Sequence, residues 1–418
     1  IFLPFQKTIK FDSSLVNLSG MILDGSNFSS REITLDFTNK NDWPISQSGS
    51  MITLVNISAT VLHLNISKKS FDSAKSALTI FELSGNSTIN VSGGNFSTNS
   101  NIGLIKYVNT PPSFTYTQTA SAGDPTPQVT VKGMTFSNNE NTSLYYKGFG
   151  HSKATSIKDR TLVELDGAIN ATFTHCSWIS NTNLHAITAQ NGTSISLNDC
   201  DFSGGDNNGI NSLVFIGGFG NVTDILYKDT NQRQFGAMRG SAVYAHNIKS
   251  LRVSNSKFTN ISGGSGAAIH INDASTVRLS NVHFISNTTQ WGSNSAWQTP
   301  DSIVHFGTGV VVLSNVDHFI GLEMSFESNK TAMWSSRSGS TTQFDKGGSS
   351  ALLIHNSKKQ TTGLVTLLNS NFGGNHGTAY NTNTRTTKVG GAALQFGYNH
   401  SNFYALDLSI TLGDLSFG

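Results

Sequence analysis

The chain has 418 residues and a net charge of +2, and only 12% of its residues are Asp, Glu, Lys or Arg, about half the usual share. That balance excludes a strongly basic nucleic-acid binder and a charge-driven disordered tail, and no apolar run reaches the roughly 20 residues a membrane helix needs. Forty glycines against seven prolines exclude a collagen-like or proline-rich chain, and the abundant Ser, Thr and Asn favour turns and solvated strand faces over long helices.

Residues 1–78 carry strand-like stretches, Leu15–Phe28 and Met51–Phe71, without a clean repeat. From Thr79 onward a repeat takes over. Five segments beginning at Thr79, Thr161, His185, Ser241 and Ala267 each carry a large aromatic seventeen residues later: Phe96, Trp178, Phe202, Phe258 and Phe284. The third position reads Phe81, Val163, Ile187, Val243, Ile269, and the fifth Leu83, Leu165, Ala189, Ala245, Ile271. The eleventh reads Ile89, Ala171, Ile195, Leu251, Val277, and the thirteenth Val91, Phe173, Leu197, Val253, Leu279. Position four is Glu82, Glu164, Thr188, Tyr244, His270, and position twelve is Asn90, Thr172, Ser196, Arg252, Arg278. Apolar residues flanking a polar one have period two, the mark of a strand with one buried face.

Each repeat is therefore two or three short strands separated by turns. A period of 24 to 26 residues fits one coil of a parallel β-helix, because no coil can bury its apolar face until another stacks on it. A propeller wants a longer period, and a sandwich shows no fixed one. The expected fold is all-β: a single-stranded right-handed parallel β-helix of about twelve coils, the hand following the general preference of parallel crossovers. One domain, 1–418, is expected, with less regular coils over 1–78 and regular ones over 79–418. Loop insertions fall at 109–128, 140–160, 288–301, 330–350 and 376–390.

The aromatic is usually followed three residues later by Asn, as in Phe96–Asn99, Phe136–Asn139, Phe284–Asn287, Phe326–Asn329 and Phe372–Asn375. Asn tolerates a left-handed turn, and its amide can bond along a stack of equivalent amides. Coil starts such as Gly266-Ala267-Ala268-Ile269 and Gly391-Ala392-Ala393-Leu394 complete the pattern. With its F-x-x-N ends, it resembles the repeats of the chlamydial polymorphic membrane proteins, autotransporter-type surface proteins, and related extracellular β-helix proteins. The resemblance runs from about Thr79 to the C-terminus and implies a β-helical passenger with an adhesive role. It does not extend to the membrane barrel such proteins use for export.

Several loops leave from one corner, after the F-x-x-N turn, and carry Tyr145, Tyr146, Trp291, Trp297, Trp334 and Tyr380. These form a candidate binding face for an extracellular polysaccharide or surface protein, since aromatic faces stack on sugars and anchor interfaces. The alternative use of these rings is to cover exposed apolar flank. Fifteen N-x-S/T sequons point to a secreted glycoprotein with N-linked glycans: Asn17, Asn27, Asn56, Asn65, Asn86, Asn90, Asn95, Asn141, Asn170, Asn191, Asn221, Asn260, Asn287, Asn329 and Asn399. Asn86, Asn170 and Asn191 fall in the turn between strand blocks and are expected to be modified. Asn287 and Asn329 also end F-x-x-N, so a glycan there excludes their place in a buried amide stack. Cys176 and Cys200, 24 residues apart and each two before its aromatic, are expected to stack as a candidate disulfide or as a pair of buried thiols.

An enzymatic reading needs clustered carboxylates. The one local candidate, Asp199, Asp201 and Asp206, lacks the downstream elements of a polygalacturonase and the ligand set of a pectate lyase. Thr-x-Thr runs at Thr115–Thr119 and Thr382–Thr386 sit in insertions, where an ice-binding array would need stacked strands. No catalytic residue, metal or cofactor is assigned. The function expected is a non-enzymatic structural module of an extracellular filament or surface layer, joined head to tail by its own coils. An adhesin or glycan-binding passenger is the alternative, and a polysaccharide lyase or hydrolase the third reading.

Overall fold

The computed structural model describes residues 8–11, 20–26, 32–38, 49–71, 78–109, 126–140, 161–182, 184–204, 242–263, 266–293, 307–335, 348–355, 363–381, 386–389, 393–396 and 408–418. All regular structure among them is β-strand. No described helix is long and apolar enough to cross a membrane. The chain divides into two compact units, Ile1–Ser143 with Lys158–Asp201 and Asn247–Ser250, and Leu144–Ile157 with Phe202–His246 and Leu251–Gly418.

The first unit holds two ladders of parallel strands that alternate along the chain. One runs through Met21–Asp24, Gly49–Val55, Leu78–Ser84, Ile102–Val108, Thr161–Asp166 and His185–Gln190. The other runs through Thr8–Lys10, Glu32–Asp36, Ser58–Ser67, Thr88–Ser97, Gln128–Ser137, Asn170–Thr174 and Ser194–Asn198. Each strand pairs with its counterpart in the next repeat, so equivalent residues become neighbours about 4.8 Å apart. The ladders pass without a break through Gly49–Val55 and Ser58–Ser67, where the sequence pattern is weak. Ile66, aligned with Phe96, takes the aromatic's place there.

In the second unit Ile269–Ile285, Gly307–Leu322 and Gly348–His355 pair in parallel, and the second half of Gly307–Leu322 passes the ladder to Gly363–Gly373 and Leu408–Phe417. A five-stranded sheet runs beside it: Ser262–Gly263, Thr288–Ser293, Lys330–Ser335 and His376–Asn381 in parallel, then Thr386–Val389 antiparallel. The stretches 288–301, 330–350 and 376–390, expected as loops, thus open as strands. Thr289 and Thr331, paired through this sheet, are themselves buried.

All twenty-five residues of the five apolar columns are buried, none more than 4% exposed. The aromatic column stacks within each unit: Phe136 on Trp178 at 5.1 Å in the first, and Phe258, Phe284, Phe326 and Phe372 at 4.6 to 5.2 Å in the second. Position four departs from the one-faced reading, since Thr188 and His270 are buried. So are Ile80, Leu104, Leu162 and Ala186 on the same side of the first ladder. Those strands are covered on both faces, as parallel strands usually are.

The turns are built on left-handed residues. Three positions before each column residue the backbone has positive φ, at His63, Gly93, Gly133, His175, Asp199, Asn255, Asn281, Glu323, Asn369 and Asp414. Two positions after it the same holds at Lys68, Thr98, Asn138, Ser180, Asn260, Ser286, Ser328 and Gly374. Most are Asn, Asp, Gly or Ser, which reach this region more readily than branched or bulky residues. The left-handed residue is therefore the one before the F-x-x-N asparagine, and that asparagine is freed for a different task.

Candidate functional site

The F-x-x-N asparagines form two amide ladders. In the first unit Asn99 Nδ2 donates to Asn139 Oδ1 at 3.1 Å, and Asn139 Nδ2 to Asn181 Oδ1 at 2.9 Å. In the second, Asn287 donates to Asn329 at 3.1 Å and Asn329 to Asn375 at 2.8 Å. Each Nδ2 also donates to the carbonyl of a column residue in the preceding repeat, as Asn139 does to Phe96 and Asn329 to Phe284. Asn99, Asn139, Asn287 and Asn329 are fully buried, with every amide hydrogen and the carbonyl oxygen engaged.

This arrangement sorts the sequons. Asn287 and Asn329 spend both amide hydrogens inside the ladder, so the folded state shown has no room for a sugar on either; they are withdrawn from the glycosylation set. Asn56 is also engaged, donating to Ser26 Oγ and accepting from the Asn86 backbone N–H. Asn86 is half-buried, Asn90 lies on a strand as its place in the repeat implies, and Asn170, expected in a turn, opens a strand. Asn95 is half-buried and donates to the hydroxyl of its own sequon serine, Ser97. Asn65, Asn170, Asn191 and Asn260 are exposed; Asn191 uses one amide hydrogen on Asp166 and keeps the second. Asn17, Asn27, Asn141, Asn221 and Asn399 lie outside the described residues. We expect glycopeptide mass spectrometry of native material to find sugar on Asn65, Asn191 and Asn260 and none on Asn287 and Asn329. Sugar on the last two would mean the ladder is broken there.

Cys176 and Cys200 are buried thiols, and they meet as the 24-residue spacing implies. Each Sγ lies within 3.5 Å of the carbonyl two residues before it, Thr174 or Asn198. The hydrogen bond between the two sulfurs lowers the Cys176 pKa and, together with burial, raises that of Cys200.

The proposed aromatic face is reached in part. Trp334 and Tyr380 are register partners on Lys330–Ser335 and His376–Asn381, and Trp291 is level with Met333. Tyr145, Tyr146 and Trp297 lie outside the described residues, as do most of 109–128 and 140–160. The five-stranded sheet lies against Gly348–His355, in the position a cover for apolar flank would occupy.

Titratable groups offer one cluster the sequence reading missed. Asp36 Oδ1 sits 2.5 Å from Thr38 Oγ1 and 3.1 Å from His63 Nδ1, and Thr38 Oγ1 lies 2.8 Å from that same nitrogen. The Thr38 hydroxyl first, and His63 second, lower the pKa of the half-buried Asp36 carboxyl to about 2. A hydroxyl–imidazole–carboxylate relay needs one partner on each ring nitrogen; here both partners share Nδ1. Asp199 is exposed and 3.7 Å from His175 Nε2, Asp201 is exposed, and Asp206 lies outside the described residues. Among the described residues no three His, Cys, Asp or Glu side chains converge to hold a metal.

Among the described residues, Leu408–Phe417 has one strand partner. It pairs on one side with Gly363–Gly373, placing Ile410 beside Val365, Leu412 beside Leu367 and Phe417 beside Phe372. Val365, Leu367 and Phe372 are at most 2% exposed, whereas Ile410, Leu412 and Phe417 are 41%, 49% and 59% exposed. Phe417 stacks on Phe372 at 5.4 Å and turns its other face outward. Apolar columns that no described residue covers can receive another strand.

Comparison with known proteins adds no relative: no family model, no curated protein and no solved structure matches the chain.

Proposed function

We propose that the chain is a non-enzymatic parallel β-helix of right-handed coils, secreted and N-glycosylated, that serves as a structural module of an extracellular filament or surface layer. The observation that carries this reading is the exposure of Ile410, Leu412 and Phe417. These side chains continue columns that the earlier described repeats bury, so another coil of the same kind would cover them. The partner committed to is a second copy of the chain. Burying the exposed portions of Ile410, Leu412 and Phe417 contributes on the order of 1 kcal/mol each, and the new ladder supplies paired N–H and C=O groups. A contact of this kind is heterologous and propagates when it does not close. The sequons support secretion, and the glycans would project from the sides.

Sedimentation velocity and negative-stain microscopy of the full chain test it. At high micromolar concentration the wild type is expected to form end-to-end oligomers, and Ile410→Lys with Leu412→Lys is expected to leave monomers. Lysine on an edge strand opposes pairing. A monodisperse wild-type monomer, or assembly unchanged in the double variant, would overturn the reading.

A further inference from the structure

The chain holds two cysteines, and the fold brings both to one inward position on consecutive rungs of the first unit. The register that pairs Asn170 with Ser194 and Thr174 with Asn198 continues to Cys176 beside Cys200. There the Asp201 N–H donates to the Cys176 carbonyl at 2.9 Å. Each Sγ meets a carbonyl two residues back and another on the preceding rung, Val131 for Cys176 and Phe173 for Cys200. The two thiols therefore occupy equivalent sites one rung apart. That spacing puts their Cα atoms about 4.8 Å apart, inside the roughly 4.4–6.8 Å that a disulfide accepts.

A bridge needs one thing more, a local tightening, because the Cβ atoms of a disulfide lie about 3.8 Å apart. The backbone here is placed to supply it. Both cysteines sit at a corner, between Asn170–Thr174 and Ser177–Ile179 on one rung and between Ser194–Asn198 and Asp201–Ser203 on the next. Each follows a left-handed residue, His175 or Asp199, so neither is fixed inside a strand. On the preceding rung the same column holds Met134, whose unbranched side chain adapts to a shifted neighbour. The contacts given up are weak, since a thiol is a poor donor.

Access decides when the bond can form. Cys176 is 1% and Cys200 2% exposed, and thiol–disulfide exchange passes through a mixed disulfide with the oxidant, for which the closed rungs leave no room. We propose that Cys176 and Cys200 form a disulfide that staples these two rungs, and that it closes while the rungs are being stacked. One cysteine, as its thiolate, attacks a sulfur of a low-molecular-weight disulfide and releases one reduced thiol. The other, as its thiolate, attacks the protein sulfur of that mixed disulfide and releases the second. The two protons lost by the cysteines end on the two released thiols, so the oxidant gains the two electrons that the protein gives up. Such oxidants belong to secretory compartments, which accords with the secretion proposed above, while the chemistry is independent of the filament.

The test starts from the full chain reduced and unfolded in urea. Refolded in a buffer of reduced and oxidised glutathione, it is expected to show Cys176 joined to Cys200 within one chain by non-reducing peptide mapping. Refolded under reductant and then moved to the same buffer, it is expected to keep both thiols, unreactive toward an aromatic disulfide reagent until urea exposes them. The bridged chain has an unfolded state constrained across a whole coil, so its unfolding equilibrium constant is expected to fall on the order of a hundredfold below that of the reduced chain. In Cys176→Ala with Cys200→Ala, reductant is expected to leave the urea midpoint unmoved. Should that variant fail to fold, bridged against reduced wild type carries the test without any substitution. Refolded chains that keep two thiols or carry glutathione adducts, bridges between chains, bridging as fast in the folded chain as during refolding, or a bridged chain no more stable than the reduced one would each overturn the assignment. None of these readouts depends on end-to-end assembly, so the staple and the filament can fail separately.

Discussion

Asn329→Ala is expected to lower stability by about 4 kcal/mol. Asn329 Oδ1 accepts from the Asn287 backbone N–H at 2.9 Å and from Asn287 Nδ2 at 3.1 Å. Its Nδ2 donates to Phe284 O at 2.9 Å and to Asn375 Oδ1 at 2.8 Å. Truncation leaves the Asn287 N–H unpaired in a site closed to water, and it strips partners from two acceptors and a second donor. Each buried orphan costs about 1–3 kcal/mol. Asn329→Asp separates shape from hydrogen-bonding sense. The carboxyl keeps the outline but as an anion faces two oxygens, so burial and those oxygens raise its folded pKa above the unfolded value of about 3.9. A neutral acid still donates one hydrogen bond, so the variant is expected to approach wild type below pH 4 and to lose stability as pH rises through the folded pKa. Asn95, whose side chain meets Ser97 at a half-buried strand position outside the left-handed turns, provides the control: Asn95→Ala should cost under about 1 kcal/mol. Urea titrations at pH 3.5 and pH 7 read all three. Equal losses at both positions would show that the buried ladder contributes nothing beyond a surface contact.

The second large effect belongs to the aromatic column. Phe284 lies between Phe258 at 5.2 Å and Phe326 at 4.6 Å and is fully buried. Phe284→Ala is expected to cost about 5 kcal/mol, combining the cavity left by a phenyl ring with two lost ring contacts. Phe417 occupies the same column but has one ring neighbour and is 59% exposed. Phe417→Ala should therefore cost only about 1 kcal/mol in the isolated chain. If the edge becomes covered in an assembly, the Phe417→Ala cost should rise toward that of Phe284→Ala as concentration increases. Thermal melts across a concentration series of both variants measure this. A concentration-independent Phe417→Ala effect would separate the column from any assembly.

What could be read from the chain beforehand follows from where the physics is local. The five apolar columns were legible because inward positions at period two are filled by aliphatic and aromatic residues with few substitutions, and burial of all twenty-five bears them out. Ile66 broke the aromatic signature and hid a repeat that the strand register restores. Thr188 and His270 looked solvent-facing because a polar residue in a strand usually is; what covers them is distant in sequence and leaves no local mark. The same limit explains Thr288–Ser293, Lys330–Ser335 and His376–Asn381. A single strand that follows a turn reads as the root of an insertion until its partners, some 42 and 46 residues on, are known. F-x-x-N is legible as a motif and its amide stack is found as expected; only the bend falls one residue earlier, on Asn138, Ser286 and Ser328.

The parallel pairing also dictates how such a chain can form. No strand in the two main ladders has its partner next door: Thr88–Ser97 must wait for Gln128–Ser137, 40 residues on, and Gly307–Leu322 for Gly348–His355 at 41. The first pair therefore has to close a long loop for few contacts, which makes initiation slow. Once two rungs exist, every further rung adds to a ready surface that already presents its hydrogen bonds, its ring to stack on and its amide to receive. Acquisition of the native state is then elongation from a seed, in the kinetic sense of a crystal face, and the rate-limiting step is the making of the seed. A chain released from denaturant should show a lag that added preformed rungs abolish.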